Sequence, residues 1–458
     1  MASLDLDRQD TICALSTAPG IGAIAMVRVS GPNADDVLLR CFRRFRNTQS
    51  PPKAFVATLG EIVDDKDEVI DEALCTRFPE GKSYTGEASF ELSLHGGPSR
   101  VRATLASLLA AGCRLAGPGE FTLRAVLTGR LDLTSAEAVD DVISARSDEA
   151  ARAALRNLHG GLRDVLAGPQ LVITDTLAEL EARMDFPDED LPDAALQLLV
   201  DNLEKACGVL QRLLDGARLG ARLSEGARVV LYGLPNAGKS TLLNALVGEE
   251  RALVHDVPGT TRDVLEAECV LGGIPVTFVD VAGVRDDEVD AVEAMGIARA
   301  REELQRADVL LLLAAADESL PAALMAEVQA QQAPHLVIRT KRDLLFTSAA
   351  IDMNDQSILL SAKEHVGLKD LREKLADLLR GEEGRLDEVL LSRGRQREEV
   401  ALALDALQQG HDALAVGEVD EVITSELRQS GKALARLLGS TLDEDVLNTI
   451  FSRFCIGK

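Results

Sequence analysis

One short segment constrains the fold of this chain more than any other. Residues Gly233–Ser240 read Gly-Leu-Pro-Asn-Ala-Gly-Lys-Ser, which matches the phosphate-loop pattern GxxxxGK[ST]. The segment follows the apolar run Arg228–Tyr232 and precedes a helical stretch, which is the context the pattern requires. Backbone amides there can wrap phosphate groups at a helix N-terminus, while Lys239 reaches the outer phosphates and the Ser240 hydroxyl binds Mg²⁺. The segment therefore predicts a nucleotide-binding α/β domain.

Further motifs follow in the order typical of guanine-nucleotide switches. A loop contains Gly259-Thr-Thr-Arg262, one strand ends in Asp280-Val-Ala-Gly283, and a later strand ends in Thr340-Lys-Arg-Asp343. A loop threonine can complete the Mg²⁺ shell, and the glycine amide can meet the γ-phosphate. The Asp343 carboxylate can accept both ring N–H groups of guanine, a pattern adenine cannot supply, and Ser361-Ala-Lys363 can close over the base. Together these motifs predict a GTPase.

Two positions bear on how hydrolysis would proceed. Many switches carry Gln directly after the DxxG glycine to orient the attacking water, but this chain has Val284. The water must then be oriented by another residue, and the residues alone leave several acids open. An amide oxygen at Asn236 can ligate a monovalent cation, which would supply the charge otherwise given by an arginine finger. The candidate acids are Asp286, Asp287, Glu288, Asp290 and Glu293.

Hydrophobic patterning divides the chain into segments of different texture. Residues 10 to about 120 alternate β-branched runs with Gly and Pro, which is typical of an α+β domain. Helical spacing follows, and residues 227–380 then alternate apolar strands with helices, which predicts a largely parallel sheet covered on both faces. We expect an α/β domain inserted into a discontinuous all-helical domain. Predicted strands are 24–29, 54–58, 89–94, 228–232, 276–280, 309–313, 336–339 and 358–360; predicted helices include 101–111, 136–143 and 177–184, with an acidic loop at 185–192.

Composition excludes some classes of protein. A chain of 458 residues with 46% hydrophobic residues is long enough for two to four cores. The net charge of -26 and the absence of Trp argue against a protein that coats nucleic acid, and the basic stretch 146–163 favours a solvated helix face. Seven scattered cysteines without a CxxC pair fit a reducing compartment. No signal-peptide core begins the chain, and the longest apolar run, 309–316, is too short to cross a bilayer, so we expect a cytoplasmic protein.

Four separated stretches resemble one family. They are Ser83-Tyr-Thr-Gly-Glu87 with Leu94-His-Gly-Gly97, Pro118–Arg124 with Gly129–Thr134, the nucleotide motifs, and the C-terminal Phe454-Cys-Ile-Gly-Lys458. Over essentially the whole chain they are similar to the bacterial tRNA modification GTPase family MnmE (TrmE). The resemblance implies an N-terminal α+β folate-binding and dimerisation domain, a discontinuous helical domain and an inserted Ras-like GTPase domain. The corresponding segments are 1–120, 121–222 with 383–458, and 223–382.

The resemblance also implies activity, cofactors and partners. Family members are homodimers that act with the flavoprotein MnmG (GidA) on carbon 5 of the tRNA wobble uridine. They add an aminomethyl or carboxymethylaminomethyl group whose carbon comes from a tetrahydrofolate derivative. Their GTP hydrolysis uses Mg²⁺ and is stimulated by K⁺. The alternative is a regulatory or ribosome-assembly GTPase whose extra domains bind RNA or protein, but no basic RNA-binding module is visible.

The resemblance also implies roles for individual residues, each taken from the matching position of the family motifs. Ser240 and Thr261 are assigned to Mg²⁺, and Asn236, His255, Val257 and Thr260 to K⁺. Glu293 is assigned to orient the attacking water, in a stretch one residue longer than usual. Folate contacts fall on Arg28, Glu87, Arg130 and Lys458. The GTP-binding residues are Asn236, Ala237, Gly238, Lys239, Ser240, Thr241, His255, Asp256, Val257, Pro258, Gly259, Thr260, Thr261, Asp280, Val281, Ala282, Gly283, Thr340, Lys341, Asp343, Ser361, Ala362 and Lys363.

Some positions depart from the family pattern or permit two interpretations. Thr340 replaces the usual Asn of NKxD, which predicts weaker guanine affinity, and Arg130 replaces a common Lys without loss of charge. Val281 replaces a Thr without expected consequence. Cys455 is interpreted as a catalytic thiol facing the folate site rather than a buried structural cysteine. The other six cysteines are predicted to lie in the core, and His95 to serve a structural role.

Overall fold

The computed structural model describes residues 10–45, 51–185, 193–248, 265–281, 300–344, 357–381, 385–441, 444–452, 454 and 457. The chain divides into two compact units. The first comprises Met1–Asp140 and Ala435–Lys458, and the second comprises Asp141–Leu434. Among the helices that can be described, none combines the length and the apolar character needed to cross a membrane.

The first unit is a mixed sheet with helices. Its strands run in the order β3-β4-β5-β6-β2-β1-β7, and β1 pairs with β7 in parallel while the other neighbours are antiparallel. Its elements are β1 (Thr11–Leu15), β2 (Ile24–Ser30), α1 (Ala34–Cys41), β3 (Phe42–Arg44), β4 (Thr58–Val63), β5 (Val69–Phe78), β6 (Ser89–His95), α2 (Pro98–Ala110), β7 (Cys113–Leu115), α3 (Glu120–Leu127) and α4 (Leu133–Ser144), the last crossing into the second unit.

Alternation along β2 explains how this sheet is buried. Val27 and Val29 are fully buried and pack with Phe90, Leu92 and Leu108 in one core. The intervening Arg28 faces the other side of the sheet, because successive side chains of a strand alternate between faces. The predicted strands at 24–29 and 89–94 and the helix at 101–111 are therefore confirmed to within a residue or a turn. The sheet holds Arg28 at a fixed position on its second face.

The predicted strand at 54–58 is wrong. Residues 51–57 form a turn, and the strand begins only at Thr58. Phe55 adopts a left-handed conformation with φ 61°, and its ring packs edge-on against Phe78 at a centroid distance of 5.8 Å. Its amide still donates to the carbonyl of Arg77 at 2.9 Å. The apolar run is therefore explained by an aromatic contact rather than by strand pairing.

The C-terminal residues belong to the first unit. The last helix, Glu444–Phe451, packs with α3 through a core that includes Leu123, Phe451 and Phe454. Ser16 donates through its hydroxyl to the carbonyl of Gly457 at 3.1 Å. A Cβ at Gly457 would lie 2.3 Å from the carbonyl oxygen of Leu15, and its φ is 97°. Only glycine fits this position.

The second unit contains a sheet in the order β13-β12-β11-β8-β10-β9 between helices. Residues 300–306 are also helical. The elements are α5 (Asp148–Leu158), α6 (Gly161–Asp185), α7 (Asp193–Asp215), α8 (Ala217–Glu225), β8 (Ala227–Gly233), α9 (Lys239–Gly248), β9 (Leu265–Leu271), β10 (Ile274–Asp280), β11 (Val309–Ala315), α10 (Ala322–Gln329), β12 (His335–Thr340), β13 (Ser357–Leu359), α11 (Leu368–Arg380), α12 (Gly394–Val416) and α13 (Asp420–Leu438), which continues into the first unit.

Both faces of this sheet are covered, as the continuous apolar strands predict. Alternate residues of β8 enter two different cores: Val229 and Leu231 lie in one, and Val230 and Tyr232 in the other. All neighbouring strands are parallel except the edge pair β9 and β10. Because parallel strands present their carboxyl ends at one edge, the last residues of β8, β10 and β12 lie at the same edge of the sheet.

A buried carboxylate joins three parts of the second unit. Asp141 is 5% exposed and accepts hydrogen bonds from the hydroxyls of Ser392 at 2.7 Å and Ser224 at 3.2 Å. The guanidinium of Arg393 forms an ion pair with the same carboxylate. Ser224 lies near the end of α8, shortly before β8, and Ser392 lies between α11 and α12. Segments that are far apart in the sequence therefore meet at this carboxylate.

The cysteines and the basic stretch also have defined positions. Four cysteines are buried, as predicted: Cys13, Cys41, Cys75 and Cys113. Cys207 and Cys269 are only half-buried, so the predicted core position is wrong for these two. In the stretch 146–163, Arg146 contacts Glu268 and the carbonyl of Glu225. Arg156 donates to the carbonyl of Leu386. Arg146 and Arg156 therefore contact other parts of the second unit, whereas Arg152 and Arg163 are exposed, as a solvated face predicts.

Candidate functional site

The phosphate loop leaves the carboxyl edge of the second sheet. Gly233 ends β8 with a φ of 148°, and a Cβ there would lie 2.1 Å from the carbonyl oxygen of Leu313 on the neighbouring strand. Asn236 adopts a left-handed conformation with φ 60°, and Ala237 is fully buried. Helix α9 then begins at Lys239. The loop therefore leads directly into the N-terminus of α9, a position that favours anions.

Lys239 is held inside the loop. Its ammonium donates to the carbonyl oxygens of Gly233 at 3.0 Å and Leu234 at 3.1 Å, and the residue is 9% exposed. Burial lowers the pKa of Lys239 because it penalises the charged form, and the nearby Asp280 carboxylate opposes this shift. A phosphate group would supply the full negative charge that two carbonyl oxygens supply only partly.

Ser240, one of the two predicted magnesium ligands, lies beside the Asp280 carboxylate, whereas the other, Thr261, lies outside the described residues. The Ser240 hydroxyl donates to the Asp280 carboxylate at 2.7 Å, which brings the start of α9 to the end of β10. Hydroxyl and carboxylate oxygens are the ligands that Mg²⁺ prefers, and the ion keeps several waters or phosphate oxygens in its shell. The residues therefore fit a magnesium ion bound beside a nucleotide phosphate. Val281 follows Asp280 and is buried, and its amide donates to the carbonyl of Leu231.

Thr340 connects the phosphate loop to the base-recognition segment, a role that the sequence analysis missed. Its hydroxyl donates to the carbonyl oxygen of Ala237 at 2.7 Å and lies 3.3 Å from that of Ala314. The residue is 2% exposed, so no water competes for this bond. From the sequence, the replacement of Asn by Thr predicts only the loss of a contact to the base. The structure shows that a hydroxyl at this position supports the loop itself.

Substitution of Thr340 tests this connection. In Thr340→Val the buried carbonyl of Ala237 loses its partner, and an unpaired buried acceptor costs about 1–3 kcal/mol. We expect the affinity for GDP to fall about tenfold, which corresponds to ~1.4 kcal/mol. Thr340→Ser retains the hydroxyl and is the matched control, expected to bind GDP almost as the wild type does. Titration with a fluorescent GDP analogue measures both, and equal affinity of the Val variant would remove this role.

The base-recognition groups are positioned by a second contact. Ser361 donates its hydroxyl to the Asp343 carboxylate at 2.7 Å. This hydrogen bond holds the pKa of Asp343 below its ordinary value, so the carboxylate is ionised and accepts hydrogen bonds. Lys341 has a left-handed φ of 58°, while Ala362 is half-buried and Lys363 exposed. The two predicted base-recognition segments are thus brought together.

Several predicted site residues lie outside the described residues. They are His255, Asp256, Val257, Pro258, Gly259, Thr260, Thr261, Ala282, Gly283, Glu293, Cys455 and Lys458. Their assignments to GTP, Mg²⁺, K⁺, folate and catalysis stay predictions.

The predicted folate residues belong to the first unit. The Arg28 guanidinium pairs with Glu91 at 2.8 Å and lies 5.1 Å from the centroid of the Tyr84 ring. Its other neighbour is the Phe121 ring at 5.7 Å. Arg130 is exposed beyond the end of α3. An arginine held against two aromatic rings forms a rigid, partly apolar wall that suits a flat heteroaromatic ligand.

Glu87 is held by a buried ion network that was not predicted. Arg124 is 4% exposed and contacts the carboxylates of Glu87 at 3.2 Å and Glu120 at 3.0 Å. Arg124 also pairs with Asp10, and Arg114 pairs with both Asp10 and Glu120. Burial alone would raise the pKa of Glu120, but hydrogen bonds from Arg114 and the Gly117 amide, with the charge of Arg124, lower it. All three carboxylates are therefore balanced by only two guanidinium groups.

Family models match both parts of the chain. The model described as "GTP-binding protein TrmE N-terminus" matches residues 11–130, and the "MnmE helical domain" model matches residues 133–455. The chain belongs to the MnmE family. With the phosphate loop and the guanine-recognition segments in place, it is a GTP-hydrolysing enzyme.

Relatives in this family match almost end to end. The "tRNA modification GTPase MnmE" of Heliobacterium modesticaldum is 40% identical over 473 residues, covering 98% of this chain and 99% of the relative. The protein of the same name from Synechococcus sp. is 40% identical and covers 100% of both chains. Among solved structures, the chain is similar to Aquifex aeolicus Era bound to GDP·AlF4⁻, with TM-score 0.29, 21% identity, and coverage of 40% of this chain and 67% of that chain.

Proposed function

We propose that this MnmE-family chain is the GTP-hydrolysing component of a complex that modifies the wobble uridine of tRNA. The observation that carries the proposal is similarity over 98–100% of the chain to relatives named tRNA modification GTPases. Under this proposal a homodimer acts with the flavoprotein MnmG to add an aminomethyl or carboxymethylaminomethyl group to carbon 5. Residues 223–382 form the GTPase, inserted between helical segments 121–222 and 383–458.

The decisive experiment measures the tRNA itself. Wobble uridines from cells lacking this protein are analysed by mass spectrometry and compared with those of the parent strain. The modified nucleoside is expected to disappear and to return when the wild-type chain is supplied. Unchanged wobble uridines together with defective ribosome assembly would favour the alternative, a ribosome-assembly GTPase.

The first unit would bind the tetrahydrofolate derivative that supplies the carbon. Support comes from Arg28, which lies against two aromatic rings, and from Glu87, whose guanidinium partner Arg124 also pairs with Asp10 and Glu120. A carboxylate in such a network can accept hydrogen bonds from the amino and ring N–H groups of a pterin. Arg130 and Lys458 would complete the contacts. Cys455 would act as a thiol near the donor.

Removal of the Arg28 charge is expected to weaken folate binding at least tenfold. Arg28→Gln retains a polar group but loses both the charge and the stacking surface, and a charge-assisted contact is worth about 1.5–3 kcal/mol. Isothermal titration with 5-formyltetrahydrofolate measures the change. Arg102→Gln, on the exposed face of α2, is the matched control and should bind like the wild type. Absence of saturable binding to the wild-type chain would refute the folate assignment.

Hydrolysis would depend on a monovalent cation and on Glu293. Asn236 supports the cation assignment because it is exposed at the left-handed turn of the phosphate loop, where its amide oxygen can ligate a cation beside a bound phosphate. Replacement of K⁺ by Na⁺ is expected to slow GTP hydrolysis strongly, and Asn236→Ala should abolish that difference.

Glu293→Ala should bind GTP normally but hydrolyse it slowly. Equal wild-type rates in the two salts, or near-normal turnover by the Glu293 variant, would reject the corresponding role.

A further inference from the structure

A cavity lies at the amino edge of the second unit's sheet, the edge opposite the phosphate loop. It has a volume of about 590 Å³ and is lined by residues that precede three parallel strands: Gly226 before β8, Asp308 before β11 and Pro334 before β12. The phosphate loop leaves the other end of β8, and a strand of this length spans about 20 Å. The volume lies within the ~300–1,000 Å³ typical of pockets for small molecules. The cavity is therefore separate from the GTP site.

Three arginines line this cavity, and among the described residues only one of their guanidinium groups has a partner. Arg222 pairs with Asp308 at 2.9 Å and donates to the carbonyl of Leu379 at 2.6 Å, which fixes it as part of the wall. Arg218 lies one helical turn earlier on the same face of α8, and Arg397 lies in α12. Across the part of the chain that the structure describes, the guanidinium groups of Arg218 and Arg397 have no hydrogen-bond or ion-pair partner.

The two carboxylates of the lining do not fully balance the positive charge of its three arginines. Glu225 and Asp308 are the carboxylates of the lining, and Asp308 is already paired with Arg222. Amide side chains at Gln305 and Gln332 can donate and accept hydrogen bonds. The wall is thus net positive in a chain whose overall net charge is -26. Guanidinium groups match the oxygens of phosphates and carboxylates in a bidentate geometry.

We infer that this cavity is a second ligand site, which binds a small molecule carrying a multivalent oxyanion between Arg218 and Arg397. Helix α8 ends directly before β8, and α12 is the next helix after α11. A ligand held by both helices would fix α8 and α12 relative to the amino edge of the sheet. The site would act independently of the phosphate loop, which recognises its phosphates through backbone amides and Lys239.

The experiment uses inorganic pyrophosphate as the probe on the full chain. The nucleotide site is first saturated with GDP without added Mg²⁺, so that pyrophosphate cannot occupy the phosphate loop. Isothermal titration is expected to reveal one further saturable site. Loss of a charge-assisted contact worth about 1.4 kcal/mol corresponds to tenfold weaker binding, so Arg218→Gln and Arg397→Gln are each expected to weaken it about tenfold and the double variant to abolish it.

Controls separate the site from general charge effects and from misfolding. Arg152→Gln removes an exposed positive charge on α5, outside the cavity, and should leave pyrophosphate binding unchanged. Unchanged GDP affinity verifies that each variant is folded, and Arg218→Lys should retain part of the binding. A parallel titration with tricarballylate shows whether the head group is a phosphate or a carboxylate. Absence of a further site for both probes, or binding that persists in the double variant, would overturn the inference.

Discussion

Gly233→Ala is expected to abolish GTP binding and to lower the stability of the second unit by at least about 3 kcal/mol. A methyl group at this position would lie 2.1 Å from the carbonyl oxygen of Leu313, and the atom it meets is backbone rather than a movable side chain. The φ of 148° is in addition a conformation that essentially only glycine adopts. Strands β8 and β11 would have to separate, and the phosphate loop would lose its starting point.

The measurement combines GDP titration with thermal unfolding. Gly248→Ala is the matched control, because it lies at the other end of α9 and a Cβ there meets nothing within 4 Å. This control should bind GDP like the wild type and be no less stable, since Ala favours helix more than Gly does. A Gly233 variant that binds GDP with wild-type affinity would show that the loop does not depend on this close strand contact.

Arg124→Met is expected to destabilise the first unit by about 3–5 kcal/mol, the cost of leaving a buried ion network without one of its charges. The substituted side chain keeps most of the volume, so the loss comes from the carboxylates. Glu87 would lose its guanidinium partner, and Glu120 and Asp10 would share only Arg114. Hydrogen exchange of peptides from residues 112–130 measures the change locally. Arg102→Met, on the exposed face of α2, should leave exchange unaltered, and equal protection in both variants would contradict a structural role for the network.

The same network makes stability depend on pH in a defined direction. The pKa values of Asp10 and Glu120 are lowered in the folded chain, despite the opposing effect of burial, because Arg114 and Arg124 stabilise the carboxylates. A lowered folded pKa contributes stability that is fully present above the ordinary values of 3.8 and 4.5. That contribution is lost as the pH falls below these values toward the folded pKa. Acid should therefore weaken protection in the wild type more than in Arg124→Met.

Continuous apolar strands made the nucleotide-binding sheet predictable. The predicted strands at 276–280, 309–313 and 336–339 correspond to Ile274–Asp280, Val309–Ala315 and His335–Thr340. Strands buried on both faces consist of uninterrupted apolar residues, so their position does not depend on tertiary contacts that a sequence conceals. The edge strand Leu265–Leu271 was not predicted, although its first residues alternate between apolar and polar as in a half-buried strand, and it pairs antiparallel with β10.

Contacts between distant residues explain what could not be predicted. Phe55 turns away from a strand because its ring meets Phe78, and Thr340 supports the phosphate loop because β12 passes beside Ala237. Similarly, the buried ion pairs of Arg124 could not be predicted from its motif, because its partner Asp10 lies 114 positions earlier in the sequence. Local patterns indicate secondary structure, whereas these roles depend on which segments the fold brings together.

The shared carboxylate of Asp141 has a consequence for how the chain is made. Its partners Ser392 and Arg393 lie 251 and 252 positions later in the sequence. At a synthesis rate of about 5–20 residues per second, roughly 12–50 seconds separate the appearance of the acid from that of its partners. During this interval the acid lacks Ser392 and Arg393, and burying it as an ion without them carries a cost. We therefore expect the helices around Asp141 to close late in folding, after the residues between the acid and these partners have been synthesised.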